Sequence, residues 1–218
     1  MKAKEPWNLL LGGAATLGIA LTDDQLKAFE LYLRELNLWR KKINLTSRKD
    51  DREIILKDFL DSLIVQKYPP REKFVLDLGS GAGFPGIPLG IVRPDLKIVL
   101  LEATRKKVFF LREVLRISKL GGVEVRWTGE ERRVEGLSAG FDFVVSRAFG
   151  SLLAFVSEGV GFLKRGGILL AMKGKRGREE LEENLPSLKD MGLEPNFLDS
   201  IQLPYLGHER NLIGLKKK

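Results

Sequence analysis

Apolar residues recur along this chain with two periods, and the change from one to the other falls near residue 73. Before that point the spacing is helical. Leu26, Phe29, Leu33 and Leu36 repeat every three or four positions within 23–42, and Ile54, Ile55, Phe59 and Leu63 do so within 51–66, the signature of helices that bury one face. Thr22-Asp23-Asp24-Gln25 reads as a capping box opening the first helix. Ile43-Asn44-Leu45-Thr46-Ser47 reads as a loop, and Tyr68-Pro69-Pro70 ends the second helix. An apolar stretch at 9–21 follows Lys2 and Lys4, the layout of a secretion signal. It is too short to span a bilayer, holds Gly12, Gly13 and Gly18, and runs into the capping box, so it is expected to belong to the mature fold. Residues 1–72 are therefore read as an N-terminal helical extension.

From residue 74 onward short apolar runs alternate with helical stretches. Strands are expected at 74–78, 97–101, 123–127, 141–146 and 168–173, and helices at 86–92, 105–119, 152–163 and 179–191. This alternation predicts an α/β fold with a mostly parallel sheet covered on both faces. Two further strands, 194–201 and 210–215, flank the turn-rich Leu203-Pro204-Tyr205-Leu206-Gly207 and suit an antiparallel pair, which brings the count to seven. Residues 73–218 are read as one compact domain, and Lys216-Lys217-Lys218 as a disordered tail.

The junction at 74–86 carries the chemistry. Phe74-Val75-Leu76-Asp77-Leu78 feeds into Gly79-Ser80-Gly81-Ala82-Gly83-Phe84-Pro85-Gly86: a strand, a glycine loop and a helix start, whose free N–H groups favour polar or anionic ligand groups. The next strand ends in Glu102, about twenty residues on, where an acid accepts both hydroxyls of a ribose. Gly81-Ala82-Gly83-Phe84-Pro85-Gly86 satisfies the dinucleotide fingerprint G-x-G-x-x-G. Asp77-Leu78-Gly79-Ser80-Gly81 matches instead the first motif of S-adenosylmethionine-dependent methyltransferases. Asp77 favours the second reading, because a carboxylate repels a pyrophosphate and attracts a cationic amino-acid end.

Composition narrows the reaction. With no cysteine there is no disulfide, thiolate metal site or thiol nucleophile, and His208 as the single histidine argues against a multi-histidine metal site or a histidine triad. Lys and Arg outnumber Asp and Glu 37 to 29, a formal charge of +8, which suits a polyanionic partner, nucleic acid first. A plainly basic solvated surface is the alternative. A cytosine C5 methyltransferase needs a cysteine. Enzymes acting on exocyclic amines carry an Asn/Asp-Pro-Pro-aromatic segment where this chain has Val145-Ser146-Arg147-Ala148-Phe149. Guanine N7 already bears a lone pair, so alignment alone serves it. Arg147 suits O6 or a phosphate, and Phe149 offers a stacking face.

Asn44-Leu45-Thr46-Ser47, the loop from Asp77 through Gly86-Ile87-Pro88, Val145-Ser146-Arg147-Ala148-Phe149, Met172-Lys173-Gly174 and His208-Glu209-Arg210 resemble the RsmG family, also called glucose-inhibited division protein B, from the N-terminal helices to the last strand. The resemblance implies a Rossmann-like, seven-stranded class I methyltransferase fold with an antiparallel final strand. It also implies N7 methylation of one guanine in 16S ribosomal RNA, on naked RNA or the small ribosomal subunit, with S-adenosylmethionine in the bacterial cytoplasm. Cofactor contacts would fall on Gly79, Phe84, Glu130, Glu131 and Arg147. Gly129 departs from a position that is often basic in relatives. To these the residues themselves add Asp77, Gly81 and Glu102 as cofactor-binding candidates, and Arg147 as the catalytic residue that aligns the acceptor. Salt bridges from Arg147 to Glu102 or Asp77 are its bland alternative, and Glu130 and Glu131 read equally as a solvated helix start. Lys173, Lys175 and Arg176 in a flexible cationic loop, together with Arg210, are expected on RNA. Trp7, Trp39 and Trp127 are read as core or interface anchors. A monomer without metal or membrane partner is expected. Two other functional classes stay open on the residues alone: an NAD(P)-dependent oxidoreductase, and a noncatalytic RNA-binding domain with a vestigial pocket.

Overall fold

The computed structural model describes residues 5–129, 139–147 and 149–218. Its N-terminal part holds α1 (Glu5–Thr16), α2 (Asp23–Trp39), α3 (Asp51–Ile54) and α4 (Leu60–Leu63), with a π-helical segment Ile55–Phe59 joining the last two. Thr22 caps α2 as its sequence requires: its hydroxyl accepts from Gln25 N–H while the Gln25 side chain accepts from Thr22 N–H. The helix expected over 51–66 thus contains a π turn, and the apolar stretch at 9–21 supplies α1.

The α/β part follows as β1 (Phe74–Leu78), α5 (Gly86–Val92), β2 (Lys97–Glu102), α6 (Arg105–Ser118), β3 (Val123–Trp127), β4 (Phe141–Arg147), α7 (Leu152–Gly159), β5 (Leu163–Lys173), α8 (Gly177–Asp190), β6 (Leu193–Gln202) and β7 (Glu209–Lys217). The seven strands form one sheet in the order β3-β2-β1-β4-β5-β7-β6. β1 to β5 run parallel, and β7 pairs antiparallel with both β5 and β6. The order reverses between β1 and β4, so the ligand crevice of such a sheet lies beyond their carboxyl ends.

Alternation along the strands splits the apolar residues between two cores. Val75, Ile98, Leu100, Phe143, Val145 and Leu170 face the side that carries α5, α6 and the N-terminal helices. Leu76, Leu78, Val99, Leu101, Val144 and Leu169 face α7 and α8. The extension shares the first core through aromatic rings: Phe59 lies 5.0 Å from Phe29 and 5.3 Å from Tyr32, and Tyr32 lies 5.5 Å from Phe84 in the glycine loop. Such rings each bury some 150–250 Å², which makes the extension part of the body that carries the crevice. Trp7 and Trp39 pack against this core as anchors.

Two expectations are corrected. The helix expected over 152–163 gives way after Gly159 to a 3-10 turn, and β5 starts at Leu163, with Leu163 paired to Phe141 and Gly166 at φ 76° inside the strand. The C-terminal lysines form no loose tail. β7 lies between β5 and β6, so its ladder runs to Lys217, whose Nζ donates to Val160 O and Leu163 O, both at 2.9 Å, while Lys218 pairs with Glu194 at 3.2 Å. Among the described residues no helix is long and apolar enough to cross a membrane.

Candidate functional site

The glycine loop turns three times through left-handed backbone, with φ of 73° at Gly79, 59° at Gly81 and 98° at Gly83. Glycine adopts this region without steric cost. The loop is tied to the neighbouring strand by Gly79 N–H and Ser80 N–H, which both donate to Leu101 O at 2.9 and 3.1 Å. A side chain at Gly86 would stand 2.2 Å from Leu100 and 2.7 Å from Asp77 Oδ2, so this glycine is what lets α5 start directly against β1. In front of Gly81 a Cβ would meet, among the described residues, only Gly79 O, at 3.9 Å, which leaves room for a ligand at this face of the loop.

Two acids hold the loop. Asp77 is fully buried beneath it, and its Oδ2 accepts from Gly86 N–H at 2.9 Å. Its Oδ1 has no hydrogen-bond partner among the described residues. Burial is the main cause that pushes its carboxyl up to about 7, against the Gly86 N–H, Ser80 and the Arg147 charge, which pull it down. Glu102 is also buried, and both of its oxygens are engaged: Oε2 accepts from Gly81 N–H at 2.8 Å and Oε1 from Thr104 N–H at 2.7 Å. A ribose would share those oxygens through their second lone pairs. A cationic donor fits this arrangement, because an orphaned buried carboxylate oxygen lies under an open glycine cradle. Glu130 and Glu131 lie outside the described residues. Trp127 closes the β3 end of the crevice, with Nε1 donating to Ala103 O at 2.8 Å and Arg105 stacked 5.5 Å over its ring.

Arg147 ends β4, and its guanidinium lies 4.6 Å over the Phe84 ring. Its ion-pair partners are neither Glu102 nor Asp77. Asp58 Oδ1 lies 3.0 Å from its Nη2 and Asp61 Oδ2 3.4 Å from its Nη1, and Nη1 also donates to Lys57 O at 3.0 Å. The alternative salt bridges are thus corrected: the extension reaches Arg147 before the loop acids do. Arg210 Nε donates to the same Asp61 at 2.8 Å, and Arg48 forks onto Asp58 at 3.1 Å. Asp58, Asp61 and Arg48 escaped the sequence reading, although two carboxylates three residues apart within the apolar spacing of 51–66 are a visible signal. An open pocket of about 260 Å³ is lined by Arg48, Asp61, Arg147, Lys173 and Arg210, among others.

The other cationic candidates divide. Lys173 points inward: Nζ donates to Gly150 O at 2.8 Å and pairs with Glu180 at 3.1 Å, which steadies the loop that carries Phe149. Lys175 is exposed, and Arg176 is exposed and pairs with the local Glu179 at 3.1 Å. The Phe149 ring lies against Gly79, 3.5 Å from where a Cβ would stand, so it walls the crevice. Exposed His208 lies in the turn before β7. Among the described residues no group of three His, Cys, Asp or Glu side chains is placed to hold a metal.

A glycine loop after the first strand, an acid closing the second and a sheet with its last strand reversed make the Rossmann-like fold of the class I methyltransferases. Solved structures share the fold. The M. jannaschii TYW2 structure in complex with AdoMet aligns with a TM-score of 0.60 at 16% identity, covering 82% of this chain and 80% of that one. A SAM-dependent methyltransferase from Aquifex aeolicus aligns at 0.57 and 21% identity, covering 77% and 94%. The family model GidB, rRNA small subunit methyltransferase G, matches residues 25–213. Ribosomal RNA small subunit methyltransferase G of Geotalea uraniireducens is 42% identical over 209 residues, 96% of this chain and 95% of that one. Its counterpart in Geobacter metallireducens is 41% identical over 217 residues, 99% and 98%. The chain belongs to the rRNA small subunit methyltransferase G family.

Proposed function

We propose that the protein transfers a methyl group from S-adenosylmethionine to N7 of one guanine in the 16S ribosomal RNA of the small subunit. The observation that carries this reading is the position of Arg147, which stacks on Phe84 of the cofactor loop on one side and lines the cationic pocket on the other. One side chain is thereby common to donor site and acceptor site.

When bound, the donor supplies an electrophilic methyl group on a sulfonium sulfur. Gly79 and Gly81 present backbone to it, Glu102 receives the ribose, and Asp77 supplies negative charge from below. Phe84 and Phe149 wall the crevice, where exclusion of water strengthens these charges. Guanine N7 has an in-plane lone pair and no proton to lose, so the residues have to align rather than deprotonate. Arg147 serves this by donating to O6 or an adjacent phosphate, which leaves the N7 lone pair free for the methyl group, while Arg210, Lys175 and Arg176 bind the surrounding backbone. Lys173, tied inward, supports the Phe149 loop. Residues 1–72 and 73–218 act as one unit, as a monomer in the cytoplasm, where ribosomal RNA is found.

The test is incubation of the purified protein with methyl-labelled S-adenosylmethionine and small subunits or 16S RNA lacking the modification, followed by cleavage at N7-methylguanine. Label on a single guanine is the expected result. Donor binding without label on RNA would refute the acceptor assignment.

A further inference from the structure

Five charged side chains from four segments meet at the β4 end of the crevice, in the alternating order Arg48, Asp58, Arg147, Asp61, Arg210. The two carboxylates are 2% exposed. The arginine side chains keep 29%, 17% and 25% of their surface open, and all three line the pocket. Asp58 and Asp61 therefore anchor three partly exposed guanidiniums: Arg48 through Nε and Nη2, Arg147 through Nη1 and Nη2, and Arg210 through Nε and Nη2. Stability alone explains such a cluster poorly, since burying ions costs desolvation that apolar packing would avoid. What the cluster supplies is direction: a guanidinium held on two sides has few rotamers left, and a planar fork fixed in this way suits a phosphate group. Asp58 lies in the π-helical segment, a local irregularity that recurs at functional sites. Because Arg147 also stacks on Phe84, the direction of the cluster is set relative to the cofactor loop.

We propose that Asp58 and Asp61 of the N-terminal extension are positioning residues that hold Arg48, Arg147 and Arg210 as one clamp for an RNA phosphodiester beside the target base. The clamp sets the distance between that nucleotide and the donor methyl group. This rests on the reading of RNA as the acceptor, and wild-type turnover on RNA tests that reading separately.

Charge and direction predict opposite results when a carboxylate is removed. Asp61→Asn makes the rim more positive by one charge, so if charge alone mattered RNA would bind more tightly and turnover would hold. With a positioning role, RNA affinity at fixed salt is unchanged or higher, while kcat at saturating RNA falls about 10- to 100-fold, the cost of roughly an ångström of misplacement. Affinity for S-adenosylmethionine stays within about twofold, because neither carboxylate belongs to the glycine loop. Arg48→Ala should instead lower the salt slope of RNA binding by about 0.7, the loss of one single-strand phosphate contact. Should Asp61→Asn not fold, Arg210→Lys keeps the rim charge but loses the fork, and is expected to lower kcat about tenfold with RNA affinity within twofold. Unchanged kcat in whichever of these two variants folds overturns the proposal, as does a parallel fall of kcat, donor affinity and melting temperature. A wild-type protein that binds donor and methylates no RNA refutes the acceptor reading instead.

Discussion

Asp77 makes a prediction that runs against the usual behaviour of an ion-paired acid. In the native chain its carboxyl titrates at about 7, against an ordinary 3.8, because burial outweighs the Gly86 N–H, Ser80 and Arg147 together. The unfolded chain releases that proton near the ordinary value. Between about pH 4 and 7 the native state thus holds one proton more than the unfolded state, and stability falls as pH rises through that window. About three pKa units at 1.36 kcal/mol each amount to on the order of 4 kcal/mol of stabilisation, present at pH 4 and lost above pH 7. Asp77→Asn keeps an oxygen for Gly86 N–H and is neutral at every pH. Its stability relative to wild type should therefore rise by about 4 kcal/mol from pH 4 to pH 8, or about 8–16 °C in relative melting temperature for a chain of this size. The assay is thermal unfolding of both proteins without donor across that range, where the difference cancels the other titrating groups. A difference constant to about 1 kcal/mol would refute the burial argument. Donor binding should show the opposite preference: a cation above the loop favours the ionised carboxylate, so affinity at pH 8 should be weaker in the Asn variant.

Three further outcomes are expected. Glu102→Gln retains only one strong acceptor for the Gly81 and Thr104 N–H groups and should weaken donor binding by about 2–4 kcal/mol in calorimetry; unchanged affinity would remove Glu102 from the ribose site. Gly86→Ala places a methyl 2.2 Å from Leu100 and should destabilise the protein by about 1–3 kcal/mol in urea unfolding; a silent substitution would mean that α5 can retreat from β1. Tyr32→Phe removes the hydroxyl that donates to Ala82 O from α2 and should cost about 1 kcal/mol of stability and raise amide exchange at Gly81 and Gly83; unaltered loop exchange would sever this link between extension and loop.

The sheet was legible because parallel strands buried on both faces are continuous apolar runs bounded by Gly, Pro and charge. β1 and β3 start and end where those runs do, and the glycine loop signalled its left-handed backbone by composition. The start of β5 was hidden because Gly166-Gly167 reads as a turn, whereas pairing with β4 carries the strand through it. The place of Lys217 was hidden because a lysine run resembles a tail, and only the insertion of β7 between two strands shows otherwise. At the site, Asp77, Glu102 and Arg147 stand at the strand ends where they were expected. Their partners were less legible. The contact between Arg147 and Asp61 spans 86 residues, and no local period records a pairing at that distance.

The non-local part of the site has one source, the extension. Tyr32 binds the glycine loop from α2, its ring packs on Phe84, and Asp58 and Asp61 take the guanidinium that lies over Phe84. Phe84 therefore touches both a core aromatic and an ion-paired arginine, each held by residues that precede β1. A methyltransferase sheet with a glycine loop suffices to bind the donor, and many acceptors are served by such sheets. On the reading proposed above, the acceptor side is assembled from Arg48, Asp58 and Asp61 together with the ends of β4 and β7. That reading gives the extension a part in selecting the acceptor, since it orients the cations that an RNA strand would meet, while its apolar face shares the core that supports the cofactor loop.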